Sequence, residues 1–207
     1  MSPSARRLSI FPLGRAILFP RMHLPLHIFE PRYRSLISDA MARDQRIGMI
    51  QPRSTDDPSD LFEIGCIGRI MDIQAMEDGR YNIVLEGESR FRMVGERAVH
   101  TPFRQIDAVA MTPEEDDPGI LASSERAALE AEAQRLASKL GYGVDWDAVG
   151  RLDDETFVNA IAQVGPFDVA GKQALLEASL LSDRSEMLIQ LMQFVGRSEQ
   201  PGSGTFP

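Results

Sequence analysis

The residues from which catalytic chemistry is usually built are scarce in this 207-residue chain: three histidines, one cysteine and one Gly-Lys pair. His23 and His27 stand four apart, a spacing that shares a helix face and can begin a metal site. Pro25 between them argues against a helix, and His100 supplies no second pair. Their ordinary role is that of loop histidines hydrogen-bonded to backbone, and no metal or cofactor is expected. Cys66 lies in an apolar, strand-like run and reads as a buried thiol, not a nucleophile. Gly171-Lys172 is followed by Gln173, and Pro166 stands where a phosphate-binding loop needs its first glycine, so no such loop is present. G-x-S-x-G, H-E-x-x-H and G-x-G-x-x-G are absent from the sequence. The acidic run Glu114 to Asp117 lacks the alternation of a calcium loop and reads as a solvated linker. An enzyme is therefore not expected.

Two other residue groups could bind without catalysing. Arg69, Arg80, Arg90 and Arg92 fall in a strand region beside Glu63, Asp72, Glu86 and Glu88, where surface ion pairing is the default. The segment Phe19 to Ile28 is apolar and proline-bearing, with Phe19, Met22, Leu24, Leu26 and Ile28 as its large side chains. Such residues most often fill a core. The functional alternative is a groove for apolar polypeptide, and these five residues are the candidate contacts.

The elements that would position these groups follow from hydrophobic spacing. Between Ile10 and Leu36, Pro12, Pro20, Pro25 and Pro31 exclude helix interior and central strand, leaving short extended pieces and turns. Leu8 to Leu13 reads as a strand. Glu30-Pro31 opens a helix whose inward face is Tyr33, Leu36, Ile37, Ala40 and Met41. Ile47 to Ile50, Phe62 to Met76, Arg80 to Leu85, Arg90 to Arg97 and Gln105 to Met111 read as strands, with a turn at Glu77-Asp78-Gly79 and a break at Gly87. After the acidic linker the pattern is helical throughout. The expected helices are Ser123 to Leu140, Glu155 to Val164 capped by Asp154, Val169 to Leu181 capped by Asp168, and Arg184 to Val195 capped by Asp183. The inward sides read as Leu129, Ala133, Leu136 and Leu140, then Phe157, Ile161 and Val164, then Leu188, Leu191, Met192 and Val195. The fold class is α+β: a small strand-rich barrel or curled sheet with one early helix (residues 1–113), then an all-α helical bundle (120–197) and a disordered tail (198–207).

The formal net charge of −9 opposes a nucleic-acid partner, although residues 1 to 53 are arginine-rich. No segment approaches the roughly 20 apolar residues of a membrane span, and no secretory leader is visible, so a cytoplasmic protein is expected.

Several passages in fixed order carry a resemblance: FPLGRAILFP, LPLHIFEPRYRSLI, EIGCIGRIMDI with Gly65 and Gly68, IVLEGESRFRM with Gly87 and Arg90, and KQALLEASLLSDRSEMLIQLM. Together they resemble the N-terminal, substrate-binding domain of Lon proteases from about Leu8 to Val195. The resemblance implies a PUA-like β-barrel followed by a helical bundle, and a non-catalytic role in polypeptide recognition. The ATPase and protease of that family lie downstream of this region, so neither activity is implied, and a stand-alone form is expected. The implied partners are unfolded or degron-bearing polypeptide, or a protease. A homodimer is left open, and RNA binding by the PUA-like part is the alternative.

Overall fold

The computed structural model describes residues 4–14, 16–54, 56–111 and 119–198. Its elements run β1 (Arg6–Pro12), β2 (His23–Ile28), α1 (Pro31–Met41), β3 (Arg46–Ile50), β4 (Ile64–Ala75), β5 (Tyr81–Glu96) and β6 (Gln105–Ala110). Five helices follow: α2 (Ser123–Leu140), α3 (Trp146–Val149), α4 (Asp154–Val164), α5 (Val169–Glu177) and α6 (Leu181–Ser198). The fold class is α+β, as the residue patterns require.

The six strands form one mixed sheet in the order β2-β5-β4-β3-β1-β6, and β5 also pairs with β6. That extra pairing closes a circuit of five strands, β5-β4-β3-β1-β6. Strands β1 and β3 are parallel, and the other pairs are antiparallel. A single strand can serve three neighbours because β5 is long and bent. Its first part pairs with β2 and its last with β6, and the register with β4 slips between Ile67 and Gly68.

One expectation about strands is corrected and another is made specific. The two short strands expected on either side of Gly87 are one strand, because Gly87 is no break but a place of close approach. Its amide donates to Met22 O (2.9 Å), its carbonyl accepts from Arg21 N (2.7 Å), and a side chain there would run into the backbone of Phe19. Residues His23–Ile28, expected among short extended pieces and turns, are the edge strand β2, with Pro25 opposite Val84. A proline is tolerated there because β2 has only one neighbour, β5. The Met22 carbonyl faces β5, so in the antiparallel alternation His23, Pro25 and His27 turn their backbone groups to the open edge. On that edge Pro25 has no amide to offer, and the His23 carbonyl is already taken by Gln163 Nε2 (2.8 Å).

Helix α1 begins at Pro31 and buries Tyr33, Leu36, Ile37 and Ala40 against the sheet. The core there includes Phe11, Leu18, Ile47, Met49, Cys66, Ile83 and Leu85, so the Cys66 thiol is buried. On the other face, Ile10, Ile50, Phe91 and Ile106 form a smaller core.

In the helical half, Leu129, Ala133 and Leu136 of α2 are buried, and Gly141 closes the helix in the left-handed region at φ 72°. Asp153, not Asp154, caps α4, accepting from Thr156 N at 2.9 Å. Asp154 is the first helical residue, and its carboxylate takes Arg126 (2.6 Å) and Leu121 N (3.0 Å) instead. Asp168 caps α5 as expected. Helix α5 stops at Glu177, and α6 starts at Leu181, which puts Asp183 inside its first turn. The short helix α3, capped by Asp145, escaped the periodicity because four residues show no period. Val164 is exposed, since α4 turns Phe157, Val158 and Ala162 inward. The linker Glu114 to Asp117 lies outside the described residues, and so does the expected tail beyond Ser198, to which α6 extends.

The halves share one core. Ile17 and Phe19, from the segment before β2, and Ile64 of β4 pack with Leu129, Phe157, Leu175 and Leu188. Polar contacts surround this plug. Arg21 pairs with Glu155, and Asn159 Nδ2 donates to Pro20 O (3.4 Å). Gln173 Nε2 donates to Ile64 O (3.0 Å), while its Oε1 accepts from Gln51 Nε2 (3.1 Å). Arg90 of β5, 2% exposed, donates to Leu176 O and Ala178 O (both 3.2 Å) at the C-terminal end of α5. Arg184 of α6 reaches the same helix end through Leu175 O (3.0 Å) and Ala178 O (2.9 Å).

Candidate functional site

Five residues were candidates for polypeptide contact, and the structure separates them. Phe19 is fully buried in the core between the halves, and Met22 packs half-buried against it. Leu24 and Ile28 are buried under α1, with Leu26 half-buried beside them. The alternation of strand β2 explains the division, because its even-numbered residues turn toward the core and its odd-numbered ones outward. Phe19 and Leu24 have no surface to offer a partner, which makes them structural residues. Leu26 and Ile28 do reach a cleft.

That cleft, about 590 Å³, opens at the C-terminal ends of β1 and β3. Phe11, Leu13, Leu26, Ile28, Tyr33 and Phe103 line it together with Pro12, Pro52, Pro58 and Pro102. Prolines recur because each stands where a strand ends or a loop turns, and their rings cover the walls without amides that need partners. Tyr33 packs on Phe11 with ring centroids 4.1 Å apart, and its hydroxyl donates to Pro12 O at 3.4 Å. Burial pushes the Tyr33 phenol above its ordinary pKa, so it stays neutral. At the rim Phe29 is 60% exposed, which is unusual for a phenylalanine.

The charges at this rim cancel locally. Arg32 pairs with Glu30 at 2.9 Å and lies over the Tyr33 ring at 4.4 Å. Arg104 holds Glu96 through two bonds of 2.8 and 2.6 Å and also donates to Ser59 O at 2.9 Å. These bonds hold the Glu96 carboxyl below its usual pKa and raise that of Arg104. The cleft is therefore apolar in its walls and neutral at its edge. Sequence reading missed Phe29 and the lining from Phe103 and Tyr33, since the β2–α1 connection, helix α1 and the β5–β6 loop must meet to bring them together. The visible signal was Phe29 itself, the one large apolar residue between β2 and the start of α1.

The other chemical candidates are resolved as well. His23 and His27 lie on strand β2, not in a loop. His27 Nδ1 is 2.7 Å from Asn82 Oδ1, and its Nε2 is 3.4 Å from Arg80 Nη1. Among the described residues no group of three or more His, Cys, Asp or Glu is placed to hold a metal ion. Arg80 pairs with Asp78 and Arg92 with Glu63, but Arg90 is buried on the carbonyls of α5. No helix among the described residues is long and apolar enough to cross a membrane.

The closed strand circuit with its docked helices is the fold of Lon N-terminal domains. The structure superposes with a TM-score of 0.67 on the Lon N-terminal domain protein from Xanthomonas campestris, at 20% identity, covering 89% of this chain and 98% of that one. It superposes with a TM-score of 0.68 on the N-terminal domain of the Mycobacterium avium complex Lon protease, at 16% identity, covering 91% and 98%. Residues 7–193 match the model of the ATP-dependent protease La (LON) substrate-binding domain, and the chain belongs to that family. It is 24% identical over 195 residues to Lon protease 1 of Bdellovibrio bacteriovorus and 28% identical over 199 residues to Lon protease 2 of Myxococcus xanthus. These alignments cover 89% of this chain in each case, but only 24% and 23% of the relatives' length. The chain thus corresponds to about a quarter of the curated Lon proteases that it matches.

Proposed function

We propose that this chain is a non-catalytic polypeptide-recognition module, and that the neutral apolar cleft beside Phe29 is where extended polypeptide docks. Membership of a substrate-binding family supports the first part. The single observation supporting the second is an exposed phenylalanine on the rim of an apolar cleft whose arginines are already neutralised. Apolar side chains entering that cleft would supply the affinity, and the paired rim would contribute little net charge. Residues 1–113 we read as a PUA-like barrel and 120–197 as a bundle that stiffens it, so that the cleft is presented on a rigid frame. An unfolded or degron-bearing chain is the partner this chemistry favours.

Fluorescence anisotropy with a labelled unfolded polypeptide, and the same protein folded as control, tests the reading. Selective binding of the unfolded form that changes little between low and high salt is expected. Phe29→Asp should weaken it about tenfold or more by placing a charge on the apolar rim, without changing the unfolding midpoint. Equal affinity of a folded Phe29→Asp variant removes this cleft as the site. Binding that collapses with salt points to the RNA alternative instead.

A further inference from the structure

A second cleft opens at the opposite, N-terminal ends of β1 and β3, with a volume of about 540 Å³. Its lining is mixed: Leu8 of β1, Ile67 of β4, and Ala108 and Ala110 of β6 form an apolar strip, beside the hydroxyl-bearing Ser4 and Ser89. The two alanines leave it depth. Its rim carries Arg6, Arg7 and Arg46 against Asp44 and Glu88. Arg46 is fully engaged, holding Glu88 through two bonds of 2.6 and 2.9 Å. The Asp44 carboxylate accepts from Arg46 N at 3.4 Å. Arg6 and Arg7 form no ion pair among the described residues. One positive charge is thus in excess among the lining residues of this mouth, and beyond them Arg69, opposite Arg46 across β3 and β4, is matched by Glu86 opposite it across β4 and β5.

We propose that this mouth binds the free C-terminal carboxylate of a polypeptide whose last side chain is apolar. The proposal rests on the polypeptide-binding reading above and assigns it a second, chemically different subsite. The throat takes the side chain, the guanidinium of Arg6, on the same strand face as Leu8 and Ala108, holds the carboxylate in charge-assisted hydrogen bonds, and Arg7, on the alternate face of β1, adds positive potential at the lip. The first cleft cannot make this distinction, because Arg32 and Arg104 there are already committed to Glu30 and Glu96. An internal segment of a chain suits the neutral cleft, and a chain end suits the cationic one.

The test uses one labelled ten-residue peptide, uncharged except at its end and finishing in leucine, made as the free acid and as the C-terminal amide. Anisotropy titrations into the whole protein at low salt should show the acid binding about five- to tenfold more tightly. The double variant Arg6→Gln/Arg7→Gln should lose that preference and bind the amide as the unmodified protein does. Both positions are exposed, and an unchanged thermal midpoint would confirm that the variant is folded. Equal binding of acid and amide overturns end recognition, as does a preference that survives the double substitution. If neither peptide nor any unfolded polypeptide binds, the polypeptide reading itself falls. Dodecanoate saturating the protein while neither peptide binds would reassign the mouth to a fatty acid and overturn the proposal.

Discussion

Residues 1–111 hold fifteen arginines and fourteen carboxylates, whereas residues 112–207 hold seven cations against seventeen carboxylates. The two halves use charge for different ends. In the strand-rich half most arginines face a carboxylate, as in Arg46–Glu88, Arg97–Asp107 and Arg104–Glu96, and the surface is neutralised pair by pair. In the helical half, carboxylates stand at helix beginnings: Asp145, Asp153 and Asp168 each accept from a backbone amide. A helix has a chemically distinct start and finish, so one sign of charge gathers at each end, while a sheet imposes no such order. The junction exploits the difference. Arg90, from the strand half, closes the C-terminal end of α5, where a cation is wanted.

If the shared core dominates over these charges, Phe19→Ala has the largest effect. The ring is fully buried among residues from both halves, and its loss should destabilise by about 3–5 kcal/mol in denaturant unfolding. A single transition should persist, whereas a split into two would show that the halves are held together by this residue alone. Arg90→Met sharpens the electrostatic side of the comparison. It leaves two carbonyls without this donor and should lower stability by about 2–3 kcal/mol. Arg90→Lys should recover part of that, since both bonds leave the single nitrogen Nη1, but the shorter, more strongly hydrated ammonium must be brought to the same buried place. Asp153→Ala is the smallest, at about 1 kcal/mol. The Thr156 amide and hydroxyl hold the Asp153 carboxyl below its usual pKa. Its contribution is therefore complete above the ordinary carboxylate pKa and is lost as pH falls through the lowered value. The acid limb of a stability-against-pH curve should be shallower in Asp153→Ala.

The α+β class, α1 and its buried face, and the extents of α2 and α4 were legible in the sequence, because amphipathic spacing is local. Apolar residues at Tyr33, Leu36, Ile37 and Ala40 need no partner to announce a helix face. Strand β2 was not legible. Its proline is compatible with a strand only at a sheet's edge, and which strand lies at the edge is decided by pairings more than 50 residues apart, such as Leu24 with Leu85. The role of Gly87 was hidden for the same reason, as its constraint comes from the backbone of Phe19. The five candidate residues were found as a group because they are apolar, but composition cannot assign sides, and strand alternation buried Leu24 and Ile28. The cleft beside Phe29 needed four connections, β1–β2, β2–α1, β3–β4 and β5–β6, to meet before it existed.

The open edge of β2 has a consequence for life among unfolded chains. If this chain docks unfolded polypeptide as proposed, it would raise the local concentration of such polypeptide beside its own sheet, where a bare strand edge would seed mixed β-aggregates. Pro25 removes a donor from the middle of that edge, and Gln163 occupies the His23 carbonyl at its start. The sheet is thereby a poor template for any polypeptide docked at the proposed cleft.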